Sequence, residues 1–152
     1  VPESGGRDTL FANMYNPYET LAAPVRAMVD GLSAVHDGDR VYRVRQGKNV
    51  AGDIPWAEHP VVRTHPVTGR RALFVNRNFT SHIVGLSKLE SDAVLDMLYR
   101  HSERDDFKCR FTWQPHSIAF WDNRCAMHLA MWDYYPQRRY GRRVTIVGTR
   151  PA

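Results

Sequence analysis

The sequence predicts a mainly β fold with flanking helices, an α+β arrangement in which a sandwich or barrel carries its helices outside. Three observations point there. Short runs rich in β-branched and aromatic residues recur along the chain, and turns bearing Pro or Gly separate them. Only two segments repeat their apolar residues at helical spacing. The 152 residues, 43% apolar and 24% charged, suit one domain over 1–152 with a buried core, and no repeat or low-complexity stretch divides it.

Taken in order, residues 1–8 read as a turn through Gly5-Gly6-Arg7-Asp8, and Thr9-Leu10-Phe11-Ala12 as a strand. Asn16-Pro17 marks a helix start. From Tyr18 to Val35, Leu21, Val25, Met28, Val29 and Leu32 fall on one helical face. Pro24 is tolerable there only in a first turn or as the break between two short helices. Residues 40–58 are basic and irregular, with Gly47, Gly52 and Pro55, and are expected to form a lid-like loop.

Val61–His65 and Ala72–Asn76 read as strands of a hairpin turned by Pro66-Val67-Thr68-Gly69. Ser87-Lys88-Leu89-Glu90 is a capping box, opening a helix to about Ser102 that buries Leu86, Val94, Leu95 and Leu98. Three β-like runs follow, at 108–113, 117–121 and 143–147, with Gln114-Pro115-His116 turning between the first two.

Composition excludes several classes. No run of about 18 apolar residues exists, so no membrane-spanning helix and no membrane partner are expected. The first residues lack the basic and apolar regions of a signal peptide, and a cytoplasmic protein is expected. A first residue other than Met fits a piece of a longer protein. Cys109 and Cys125 lie in strand-like stretches without a CxxC pair, so two packed, reduced thiols are expected rather than a structural zinc site.

The net charge of +5 suits nucleic-acid phosphates or the carboxylates and sulfonates of small molecules. Against nucleic acid, the arginines are not interleaved with stacking aromatics, and Trp121 and Trp132 are expected to be buried.

Seven histidines are present. His59 and His65 precede prolines and read as extended strand-end or loop residues. His101-Ser102-Glu103 has the spacing of a His-x-carboxylate pair, but on a helix residues two apart diverge, so it reads as a decoy. His128 sits between aromatic stretches at the mouth of a sheet and fits either a packed histidine or a metal ligand. Downstream, Arg139 and Arg143 offer an anion clamp, while Arg138 and Arg142 read as a solvated basic edge.

Trp121-Asp122-Asn123-Arg124, His128, Asp133 to Arg139 and Arg143-Val144-Thr145 resemble the TauD/TfdA family of Fe(II)- and 2-oxoglutarate-dependent dioxygenases. His59 to Pro66, Ala72 to Asn76 and Asp8 to Met14 match the same family. The resemblance covers nearly the whole chain and implies a double-stranded β-helix, or jelly roll. It implies Fe(II) as metal, 2-oxoglutarate as cosubstrate, O₂, and a small, anionic, taurine- or sulfonate-like substrate.

In that scheme His128 is the distal iron ligand, Thr9 and Arg139 hold 2-oxoglutarate, and Arg143, Tyr42 and Phe79 line the substrate pocket. The family's His-x-Asp pair lies upstream of its Gly-Gly-x-Thr stretch and occurs nowhere in this sequence. A C-terminal portion of such an enzyme, incomplete at its N-terminus and inactive by itself, is therefore expected. The rival is a degenerate jelly-roll module that binds small anions without metal. Open strand edges would leave the chain either covered by further polypeptide or associated as a homo-oligomer.

Overall fold

The computed structural model of the chain describes residues 8–39, 41–42, 54–149 and 151. Within them, β1 (Asp8–Asn13) is followed by α1 (Tyr15–Glu19), α2 (Ala23–Val29) and β2 (Ser33–Asp37). Next come β3 (Trp56–Pro60), β4 (Val62–Thr64), β5 (Arg71–Leu73) and β6 (Thr80–Ile83). Helix α3 (Lys88–Ser102), a 3₁₀ turn (Asp105–Phe107), β7 (Lys108–Thr112) and β8 (Ala126–Ala130) complete the order. No helix among the described residues is long and apolar enough to cross a membrane.

The mainly β reading holds, in three antiparallel pieces rather than a closed barrel among the described residues. The first sheet runs β7-β1-β8, the second β3-β2-β6, and β4-β5 form a hairpin. In the first sheet Thr9 stands opposite Phe111 and Ala130, and Phe11 opposite Cys109 and His128. Directly opposed residues share a face, so Thr9, Phe11 and His128 point one way. Ala12 and Met127 point the other way, into a core with Met14, Val29, Ala34, Val61, Leu73, Ile83 and Leu98.

Local chemistry explains the elements that position this sheet. Asn13 turns β1 into α1, its Oδ1 accepting from the Tyr15 N–H at 3.0 Å. The hairpin closes as expected: the Gly69 N–H donates to the His65 carbonyl at 2.9 Å, and Gly69 takes a φ of 70°, which a residue with a Cβ resists. The capping box forms at both ends, with Ser87 Oγ accepting from the Glu90 N–H and Glu90 Oε2 from the Ser87 N–H. Helix α3 then docks on β6, where Ser91 Oγ accepts from the buried Ile83 N–H at 2.9 Å.

Several expectations change. Pro24 falls in the first turn of α2, the second of two short helices, but the helical spacing through Val35 misleads beyond Val29, because residues 33–37 gain ladder partners on both sides as β2. The expected loop at 40–58 ends in a strand, β3; residues 40 and 43–53 of it, like the Gly5-Gly6-Arg7 turn, lie outside the described residues. The runs 117–121 and 143–147 are not strands. Neither has a ladder partner among the described residues, and Phe120 is 88% and Val147 95% exposed. Trp132, expected in the core, is 75% exposed, and Cys109 is exposed rather than packed.

Candidate functional site

The strand β1 brings the candidate residues together. Thr9 is only 4% exposed, and its Oγ1 accepts two hydrogen bonds. One comes from Trp113 Nε1 at 2.9 Å, the other from Arg139 Nη2 at 3.0 Å. The same guanidinium donates through Nη1 to the carbonyls of Asp8 (3.1 Å) and Met131 (3.2 Å). Arg139 is thereby tied to β1 and to the residue after β8, with its planar fork held in one orientation.

His128 lies mid-strand in β8, one cross-strand pair along from Thr9 on the same face. Its ring stands 5.1 Å from Trp121 and 6.1 Å from Phe11, and those two rings are 5.1 Å apart. Although the residue is exposed by area, these aromatic walls crowd its imidazole. Burial pushes its pKa below the ordinary histidine value, and the Arg143 charge pushes in the same direction. That shift favours the neutral imidazole, which is the form that coordinates metals.

Of the residues singled out from sequence, Thr9 and Arg139 are joined by a hydrogen bond, and His128 and Arg143 by their electrostatic interaction. Tyr42 and Phe79 lie at the Asp37–Gly38 end of the second sheet. The Phe79 carbonyl accepts from the Asp37 N–H at 2.7 Å, and a Cβ at Gly38 would lie 2.6 Å from the Tyr42 ring.

Sequence reasoning missed Trp113 and the Phe11–Trp121 walls. A signal existed for Trp113, whose position continues the alternation of Thr9's neighbour Phe111 along one sheet face. The decoy reading of His101 and Glu103 is supported: His101 Nε2 meets the Pro17 carbonyl at 3.0 Å, while Glu103 pairs with Arg77 at 2.9 Å.

A second group, His65, Asp122 and Cys125, has three potential ligand atoms within 4.8 Å of one another. Hydrogen bonding argues against a metal there. His65 Nδ1 accepts from the Val67 and Thr68 N–H groups, so Nε2 carries the proton and donates it to Asp122 Oδ2 at 3.1 Å. Asp122 is also clamped by Arg124, through Nε at 2.9 Å and Nη2 at 2.6 Å, which holds its carboxyl far below the usual range. This network fastens the turn before β8 to the β4-β5 hairpin.

Comparison with known proteins identifies the family. A family model described as "Taurine catabolism dioxygenase TauD, TfdA family" matches residues 1–145. The alpha-ketoglutarate-dependent sulfate ester dioxygenase of Pseudomonas putida is 37% identical over 162 residues, 99% of this chain and 53% of that protein. The alpha-ketoglutarate-dependent sulfonate dioxygenase of Saccharomyces cerevisiae is 34% identical, covering 97% of this chain and 37% of its own length. The solved structure of a taurine dioxygenase from Burkholderia xenovorans superposes with a TM-score of 0.74 at 43% identity, over 86% of this chain and 43% of that one. The chain thus spans about half or less of the length of these relatives.

Proposed function

Because the chain belongs to the TauD/TfdA dioxygenase family, we propose that it forms part of the catalytic domain of an Fe(II)- and 2-oxoglutarate-dependent dioxygenase. Residues 1–152 act in it as one domain, and the substrate is a small anion of the sulfonate or sulfate ester kind named for its relatives. The observation that carries this reading is the Thr9–Arg139 hydrogen bond on the sheet face that also bears His128.

The donor chemistry fits the metal as far as this chain goes. His128 would supply one imidazole of a facial set of two histidines and a carboxylate, and its low pKa keeps the lone pair available. No His-x-Asp pair occurs among the 152 residues, so the other two ligands are not of that motif here. When bound, the iron with O₂ and 2-oxoglutarate supplies the oxidising power for hydroxylation.

The chain's own residues bind and orient. Arg139 presents a fork matched to a carboxylate, and the Thr9 hydroxyl stands beside it as a further polar partner. Arg143 adds a cation close to His128, suited to the charged end of an anionic substrate. Phe11 and Trp121 flank the imidazole. Tyr42 and Phe79 are further candidates for the substrate pocket.

Calorimetric titration of the folded 152-residue chain with 2-oxoglutarate tests the clamp. Saturable binding is expected, weakened at least about tenfold in Arg139→Ala by loss of a charge-assisted fork. Equal binding by wild type and Arg139→Ala, or none by either, would overturn the assignment. Succinate release by this chain alone, given Fe(II) and a sulfonate, would show that it is not a partial site. A metal-independent clamp that binds anions but never turns over when combined with a His-x-Asp segment would favour the degenerate binding module.

A further inference from the structure

Arg63 is an anomaly in the packed part of the molecule. It lies on β4 and is 3% exposed, yet among the described residues its buried Nε has no hydrogen-bond acceptor. What its guanidinium does meet is the face of Phe74, 5.0 Å from the ring centroid. A guanidinium does not shed its proton to escape burial, so an unpaired one is costly unless an anion answers it.

Asp122, the carboxylate whose charge acts on Arg63, is already engaged. Asp122 accepts from the Arg124 side chain, from the Arg124 N–H at 2.8 Å and from His65 Nε2. Two guanidiniums therefore share one carboxylate, and Arg63 and Arg124 repel each other.

A cavity of about 100 Å³ opens beside Arg124. Phe74, Asn76, Asn123 and Arg124 contribute to its wall. Asn76 spends its side-chain carbonyl on the Asn78 and Phe79 N–H groups, and Asn123 spends its own on Trp121 Nε1. What both amides have left to offer is N–H donors. Met127, also in the wall, projects from the face of β8 opposite His128, so this is not the Thr9–Arg139 site.

We propose that this cavity binds a small oxyanion, a carboxylate, sulfonate, sulfate or phosphate, as the counter-charge to Arg63 and Arg124. Arg124 and the two amides line it, and Arg63, packed on the Phe74 ring that forms part of its wall, supplies the excess positive charge. The site is independent of the cosubstrate clamp.

The test is thermal melting of the 152-residue chain in chloride buffer at fixed ionic strength, titrated with inorganic phosphate, sulfate or acetate. A saturable rise in melting temperature is expected for wild type with at least one of the three. Arg63→Met should lose that rise and, without the anion, melt no lower than wild type, since it removes an unanswered buried charge. Arg139→Gln and Arg143→Gln should keep the rise.

The same rise in Arg63→Met would mean a general salt effect, an adventitious ion only, and overturn the proposal. Loss of the rise in Arg139→Gln or Arg143→Gln, with Arg63→Met unchanged, would place the anion at the cosubstrate clamp and also overturn it. Should Arg63→Met fail to fold, the wild-type Arg63 Nε–H resonance decides, with Arg63→Lys identifying it. A saturable shift with the anion supports the site, and an invariant resonance refutes it.

Discussion

Residues 54–107 and residues 113–149 have comparable stores of β-branched and aromatic side chains and meet opposite fates. The first stretch forms β3 to β6 and α3, with Val61, Leu73, Val75, Ile83 and Leu98 buried. The second forms a single strand, β8, while Ile118, Phe120, Val144, Ile146 and Val147 stand in solvent. Composition cannot account for this. A strand is stabilised by its cross-strand neighbours, and Val62-Arg63-Thr64 has them where Val144-Thr145-Ile146 has none among the described residues. The candidate site straddles the two regimes: Thr9 and His128 stand on a paired sheet, Arg139 and Arg143 on the unpaired stretch.

The largest effect that separates the regions is a cavity in the first. Leu98 is fully buried on α3. Leu98→Ala should cost about 2–5 kcal/mol, read from the urea midpoint, because a close-packed core relaxes only partly around the lost atoms. A cost below about 1 kcal/mol would mean the first region is no better packed than the second.

Acid should be felt in the first region too. His36 on β2 stacks on Phe74 at 5.3 Å and meets the His59 ring edge-on at 5.2 Å. Burial, with the neighbouring His59 charge adding to it, lowers the His36 pKa to about 4. The other charged group on this cluster is Arg63, on Phe74, and it acts with the same sign.

A folded pKa below the unfolded value of about 6.5 means the unfolded chain takes up the proton first. The His36 contribution to stability is therefore intact above pH 6.5 and falls as pH drops towards 4. Below 4 it is constant, after a total loss of up to about 3 kcal/mol. Urea midpoints measured at steps across that window should lose this limb in His36→Leu. An unchanged profile would show that His36 is not the group that titrates.

How much of this was legible from sequence depends on whether the signal was local. The capping box at Ser87 and the Gly69 hairpin turn are local chemistry, and both formed as expected. Strand β2 was hidden because Val29, Leu32 and Val35 also fit a helical stripe, and only pairing with β3 and β6 decides against it. Strand β8, Ala-Met-His-Leu-Ala, has little β-propensity of its own and exists because β1 lies beside it.

At the candidate site, resemblance to the family pointed to Thr9, His128, Arg139 and Arg143, but not to their contacts. The bond between Thr9 and Arg139 joins residues 130 apart, and that between His65 and Asp122 residues 57 apart. No periodicity reports such pairs. The failed strands at 117–121 and 143–147 show the converse: a local preference with no partner among the described residues to express it.

The smallest expected effect probes that last point. Val144→Ser, Ile146→Ser and Val147→Ser remove apolar atoms that already face water, so each should change the stability of the chain by no more than about 0.5 kcal/mol. Their self-association is a different matter. Exposed β-branched residues in an unpaired strand-like run are templates for a second copy, so wild type should sediment as concentration-dependent oligomers. The triple serine variant should shift towards monomer while Arg143, which carries the charge near His128, stays in place. If the three substitutions together cost more than about 2 kcal/mol, or if wild type is a monodisperse monomer, the contrast between packed and unpaired regions fails at its weakest member.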